Sequence, residues 1–219
     1  MSEADAAGTR LPRAWFARHA LEVAPALVGV LLERRTLEGT WVRARIVETE
    51  AYTGDDPSCH AHRGRTARNA PLFGPPGHAY VYRVYGVHWC LNVATGPDGE
   101  AQGVLLRAAE PLEGLEALRA RRGARTRDRD LLRGPGRLTQ ALAVDGDHTA
   151  ADLCADDPPV VLRDDGARPA IVRGPRVGVS RAADWPWRFH AEGSRFVSRY
   201  ARSPHAPPPG TDGDPAPGQ

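Results

Sequence analysis

Apolar positions in the first third of the chain change their period twice, and each change predicts a new element. Between residues 12 and 32 the apolar set Trp15, Phe16, Leu21, Ala24, Leu27, Val28 and Val30-Leu31-Leu32 recurs at helical spacing, which predicts two short helices packed on a core. Residues 31–46 read as a strand, a turn at Glu38-Gly39 and a second strand over 41–47, with Arg43 and Arg45 alternating outward. This hairpin delivers Glu48 and Glu50 to a strand end, where the period of two sets both carboxylates on one face.

Residues 53–76 carry no apolar period and hold the run Cys59-His60-Ala61-His62-Arg63-Gly64-Arg65-Thr66-Ala67-Arg68-Asn69. A loop of this length inside a domain is more often functional than idle. Residues 79–84 and 88–94, rich in Tyr, Val and Trp, predict a hairpin joined around Tyr85-Gly86, with Tyr85 in solvent at its tip. A short strand over 103–108 follows, then a helix opened by residues 111–114, then a helix end, a glycine turn and a new helix over 131–142. Short strands are predicted over 160–162 and 170–172. The small, polar residues 1–10 and the Pro- and Gly-rich residues 201–219 are expected to be disordered, leaving one domain over 11–200.

Composition narrows the chemistry. All 29 basic residues among the 219 are arginine, so no lysine is available for a Schiff base, a Walker phosphate loop or pyridoxal phosphate. Arginine suits bidentate phosphate contacts and stacking, although a GC-rich genome favours it too. The three cysteines, Cys59, Cys90 and Cys154, form no C-x-x-C pair, and a reducing compartment suits them. With no apolar run near the roughly 20 residues of a membrane helix and no signal-like N-terminus, the expected location is the cytoplasm, and the nucleoid in a bacterium.

Glu48 and Glu50 by themselves read first as a solvated strand edge paired with arginines. Beside Tyr52, His60 and the Tyr-rich hairpin, one of them becomes a candidate pocket base. Tyr80, Tyr82 and Trp89 have a plain reading as half-buried strand residues, but Tyr85 at a glycine turn cannot reach its own core and is placed to enter a base stack as a wedge. Tyr52 and Tyr82 can stack an extruded base, gaining about 0.5–2 kcal/mol more if that base is cationic. Arg63, Arg65 and Arg68, with the arginines from 119 to 137, are candidate phosphate contacts or a solvated face paired with Asp128 and Asp130. The His60-x-His62 pair lacks further ligands at a recognisable spacing, so no metal site is expected.

Six motifs in one order, Val47-Glu48-Thr49-Glu50-Ala51-Tyr52, Arg65-Thr66-Ala67-Arg68-Asn69, Tyr80-Val81-Tyr82-Arg83-Val84-Tyr85-Gly86, Cys90-Leu91-Asn92-Val93, Val104-Leu105-Leu106-Arg107-Ala108 and Arg176-Val177-Gly178-Val179, resemble the alkyladenine (3-methyladenine) DNA glycosylase family. The resemblance covers about residues 12–200. It implies a mixed α+β fold, a single domain with a curved antiparallel sheet surrounded by helices and a protruding β-hairpin that inserts into DNA. It implies Glu50 as general base, Arg107 as the holder of the water and the flipped nucleotide's phosphate, and Tyr52, His60 and Tyr82 as the base pocket's walls. Asn92 resembles the residue that screens purines, and Tyr85 the side chain that replaces the flipped nucleotide. Two departures stand out: Val87 replaces the Met of the animal enzymes at the wedge, and the loop before His60 is one residue shorter.

The implied activity is monofunctional: release of 3-methyladenine, 7-methylguanine or hypoxanthine from double-stranded DNA by a monomer, without cofactor or metal, leaving an abasic site. Two other readings stay open, a catalytically silent DNA or RNA binder of the same fold and a metal-dependent hydrolase built on Cys59, His60 and His62.

Overall fold

The computed structural model describes residues 8–36 and 39–211, and its longest strand organises the rest. In chain order the first elements are β1 (Thr9–Arg10), α1 (Arg13–Phe16), α2 (Ala20–Leu27), β2 (Leu31–Arg35) and β3 (Trp41–Thr53). They are followed by β4 (Ala79–Val84), β5 (His88–Ala94), β6 (Gln102–Glu113), α3 (Leu115–Arg122), α4 (Asp128–Leu131) and α5 (Pro135–Leu142). The last three are β7 (Val161–Asp164), β8 (Ile171–Gly174) and β9 (Arg188–Ala191). The result is one α+β domain with few helices and a nine-stranded antiparallel sheet in the order β1-β7-β2-β3-β6-β5-β4. β9 joins β3 directly and carries β8 on its far side.

β3 is long because both its edges are occupied. β6 pairs with it from Arg43 to Thr53 on one side, while β2 takes residues 41–45 and β9 takes 48–50 on the other. The sequence expectation of a strand ending at Val47 therefore falls short by six residues, because the charged positions that follow are buried in ion pairs rather than turned to solvent. The register against β6 slips around Glu48: Ile46 faces Ala109, Glu48 faces Ala108 and Thr49 faces Leu106, leaving Val47 and Arg107 without a partner. A bulge of this kind re-aims side chains, and here it brings Arg107 between Glu48 and Glu50.

The outward reading of Arg43 is also corrected. Arg43 is buried, and its Nε donates to Glu33 Oε1 at 2.6 Å, while Arg163 Nε donates to the other oxygen of Glu33 at 3.0 Å. Glu33 stands directly opposite Arg43 on β2, so the guanidinium pairs with it instead of reaching solvent. Arg45 is half-buried and forks onto Asp165. Of the turn expected at Glu38-Gly39, Glu38 lies outside the described residues.

The strand expected over 103–108 runs on to Glu113, absorbing Pro111 and Leu112 from the helix predicted there. Gly114 ends it with φ +73, and a Cβ at that position would lie 2.7 Å from the carbonyl oxygen of Trp41, so only glycine makes the turn into α3. Thr9 and Arg10, from the leader expected to be disordered, pair with Asp164 and Arg163. In the tail, Ala201 accepts from Gly178 N at 2.9 Å and Arg202 pairs with Asp184.

The main core gathers Phe16, Leu27, Leu32, Ile46, Leu91, Leu106, Leu118, Leu138 and Phe189. Helix α2 is tied to β3 by Thr49 Oγ1, which donates to Ala24 O at 2.8 Å, and α5 to β5 by Thr139 Oγ1 on Trp89 O at 2.9 Å. Among the described residues no helix is long and apolar enough to cross a membrane.

Candidate active site

The site begins in the buried end of β3. Glu48 and Glu50 both have 0% of their side chains exposed, a state that carboxylates tolerate only with partners. Glu48 has four donors: Arg107 Nε at 3.0 Å, Arg188 Nε at 2.7 Å, Ser198 N at 2.7 Å and Ser198 Oγ at 2.8 Å. Burial alone raises its pKa, but Arg107 and Arg188 outweigh that effect and hold the carboxyl below its ordinary value. Glu50 has three donors. Tyr52 Oη (2.9 Å) and Arg107 Nη1 (3.2 Å) reach Oε2, and the backbone N–H of Val177 reaches Oε1 at 2.7 Å. Burial works against the Arg107 cation, yet Glu50 and then Glu48 raise its pKa above the usual arginine value.

Two carboxylates face two guanidiniums here, so the cluster is charge-balanced with Arg188 included. The two glutamates, alike in sequence, differ in surroundings. Arg107 serves both carboxylates and lines a cavity of about 610 Å³, as do Tyr52 and Val177, the other donors of Glu50, whereas Arg188 and Ser198, the other donors of Glu48, do not.

That cavity is walled by rings. Tyr80 and Tyr82 stack at 5.4 Å between centroids, and His60 meets Tyr82 edge-on at 4.4 Å. His60 Nδ1 and Tyr80 Oη share a hydrogen bond of 2.9 Å. Burial raises the phenol pKa of Tyr80 to about 12 and moves Tyr82 well above its ordinary value; it does the same to Tyr52, where the charge of Glu50 adds to the effect. One side of His60 opens to the cavity, but burial of the rest and then Arg68 lower its pKa, so the imidazole is neutral at neutral pH. Asn92 also lines the cavity, its Nδ2 donating to Tyr80 O at 3.0 Å. Glu50, Tyr52, His60, Tyr82, Asn92 and Arg107, separated by up to 57 positions, are thus brought together.

Tyr85 stands at the rim, at the tip of the hairpin of β4 and β5, with 90% of its surface exposed. Tyr85 and Gly86 have φ +51 and +69, and Val87 N closes the turn on Val84 O at 3.1 Å, the pattern of a type I′ turn. For tyrosine this backbone costs about 1–2 kcal/mol. A bulky aromatic kept at a positive φ and almost wholly in solvent is a candidate for a role outside the fold.

Arg63, Arg65 and Arg68 are all exposed on the loop beside the cavity. Asn69 shapes this loop from beneath, donating to His60 O at 2.9 Å and Gly64 O at 3.0 Å and accepting from Thr66 N at 2.6 Å. Arg68 lies over the Tyr82 ring at 5.8 Å and Arg65 over Phe73 at 5.9 Å. In the other basic cluster Arg119 pairs with Asp128, and Arg127 with Asp130 at 2.8 Å. Cys59 is buried with its thiol pKa pushed up to about 11, and no group of three or more His, Cys, Asp or Glu that could hold a metal occurs among the described residues.

Sequence reasoning did not find Arg188, Ser198 or the backbone of Val177 as parts of the site. Val177 belongs to a motif that was noticed, but a backbone N–H carries no side-chain signature. Arg188 and Ser198 act across 140 and 150 positions, beyond any local pattern.

Fold and cavity together define an α+β protein with a deep aromatic cavity above a buried carboxylate cluster. The model of the methylpurine-DNA glycosylase (MPG) family matches residues 14–195. A Burkholderia cenocepacia (strain HI2424) protein is 51% identical over 194 residues, which cover 87% of this chain and 92% of that protein. A Rhodopseudomonas palustris (strain HaA2) protein is 51% identical over 193 residues, 88% of this chain and 92% of its own. Both bear the name "Putative 3-methyladenine DNA glycosylase". The chain belongs to the methylpurine-DNA glycosylase family, whose name is that of hydrolases of N-glycosyl bonds in DNA.

Proposed function

We propose that the protein is a monofunctional DNA glycosylase that flips alkylated or otherwise damaged purines out of duplex DNA and hydrolyses their N-glycosidic bond. The observation that carries this reading is the placement of Glu50, fully buried, with all three of its donors lining an aromatic-walled cavity. Tyr52, Tyr82 and His60 line the cavity and offer rings to a flat purine, and a ring-alkylated one, 3-methyladenine or 7-methylguanine, adds positive charge that stacks well on tyrosine. Hypoxanthine is a third candidate. Unstacking costs a few kcal/mol and least for weakly paired lesions.

Glu50 then takes a proton from a water as the bond to C1′ lengthens toward an oxocarbenium-like state. A carboxylate offers about four acceptor sites, and three donors leave one of them, on Oε1, for the water. Arg107 orients that water and the flipped nucleotide's phosphate. Asn92 at the wall screens the exocyclic group. Arg63, Arg65 and Arg68 contact the DNA backbone, and Tyr85 fills the gap left in the stack. No lysine exists to form a Schiff base at the sugar, so the strand stays uncut.

The test is incubation with alkylated duplex DNA in EDTA while free methylpurine is followed by chromatography. Base release with an intact abasic strand is the expected result. Bound DNA with no base released would leave the silent binder, and activity lost only in EDTA would favour the metal hydrolase.

Tyr85→Ala is expected to lower affinity for an abasic-site duplex by tenfold or more, since stacking contributes about 1–3 kcal/mol per base. Its melting temperature should not fall, because the side chain is 90% exposed. A matching loss of stability would make Tyr85 a fold residue.

A further inference from the structure

Two of the three donors to Glu50 depend on one side chain that never reaches the cavity. Arg176 is 1% exposed. Its guanidinium forks onto Asp56, with Nη2 on Oδ1 at 3.0 Å and Nη1 on Oδ2, and Nη1 also donates to Ala51 O at 3.1 Å. Asp56 is itself 0% exposed and opens the turn that leads to Cys59 and His60, where Ser58 N donates to its Oδ1 at 2.9 Å. The guanidinium carbon lies 4.7 Å from the centroid of Tyr52 and 5.1 Å from that of Trp187. Burial opposes the cation, and Asp56 and Tyr52 outweigh it.

The position costs Arg176 one hydrogen bond: its Nε is buried and has no partner among the described residues. The Tyr52 ring packs on this guanidinium.

We infer that Arg176, held by Asp56, is a positioning residue for the reaction, fixing the Tyr52 ring and the Val177 N–H against Glu50 and tying the His60 loop to the same point. The inference rests on the glycosylase reading. Tyr52 is packed on the guanidinium and donates to Oε2, and Val177, the next residue in the chain, donates to Oε1. The third donor, Arg107, is held separately by Glu48 and Ser198. Loosening Arg176 therefore frees two contacts to the base carboxylate without touching DNA.

Two variants separate positioning from fold maintenance. In Arg176→Met with Asp56→Leu the pair is replaced by apolar side chains, a change that is often neutral for stability, while in Arg176→Lys a cation is kept under the rings but the fork onto Asp56 is lost. The expected pattern is crossed. The double variant melts near wild type, yet its single-turnover rate of base release at saturating enzyme falls on the order of 10²-fold, the scale of a misplaced catalytic group. Arg176→Lys melts lower and keeps more of the rate. Affinity for an abasic-site duplex is unchanged in both. Rates that follow the order of melting temperatures, or a wild-type rate in the double variant, would overturn the inference. Absence of base release by the wild-type protein would instead overturn the glycosylase reading.

Discussion

Glu50→Gln is expected to lower the single-turnover rate of base release by a factor of about 10²–10⁴, the range a positioned general base contributes. The amide oxygen can still accept from Val177 and Glu48 still pairs with Arg107, so the protein should fold with some loss of stability from the unmatched cation, and its affinity for an abasic-site duplex should survive. Measuring rate and affinity on the same preparation decides the matter: near-normal turnover would remove Glu50 from the base role and transfer the question to Glu48. The geometry argues against that transfer. Glu48 has its two oxygens taken by four donors, and one of its two cationic partners, Arg188, has its remaining contact to Ser198 O at 3.1 Å. Tyr52 and Val177, which bind Glu50 alone, line the cavity, whereas Arg188 and Ser198, which bind Glu48 alone, do not.

Glu48→Ala should destabilise the protein by about 3–5 kcal/mol, because removing one member of a buried ion cluster leaves its cations uncompensated. The measurement is chemical denaturation at neutral pH, and a loss below about 1 kcal/mol, the level of a surface pair, would show that the cluster does not hold the sheet together. The same carboxyl gives a pH signature. Its folded-state pKa lies below the ordinary 4.5, so its contribution is fully present above that value and is lost as pH falls through the folded pKa. Wild type should therefore lose stability on the acid side more steeply than Glu48→Ala. Parallel acid limbs would assign the acid sensitivity to other carboxylates.

Local elements were largely legible from local pattern. The hairpin strands expected over 79–84 and 88–94 have those bounds, since Tyr, Val and Trp around a glycine turn have one good local solution. The glycine junction between α4 and α5 was equally clear. The failures at Val47 and Arg43 share a cause. An alternation rule sends charged residues to solvent, but β3 has neighbours along both edges, and its charges are matched by Glu33, Arg107 and Arg188 from elsewhere in the chain.

For the site, the residue types needed for work on a purine, namely paired glutamates, a tyrosine-rich hairpin and a basic loop, could be recognised in the primary structure. Arg107, which lies alone in an apolar strand, was reached only through resemblance to a family. The sequence by itself determined the inventory: all-arginine basic chemistry without a lysine nucleophile, carboxylates two apart, and an aromatic at a turn that holds its φ positive. Only the tertiary structure decided how the two glutamates differ. Both sit on one face of one strand, so period alone cannot separate them. Arg188 and Ser198 close over Glu48 from the C-terminal part of the chain, and the partners of Glu50 open onto the cavity. The environment of a buried charge is set by residues far away in sequence, and no local pattern records it.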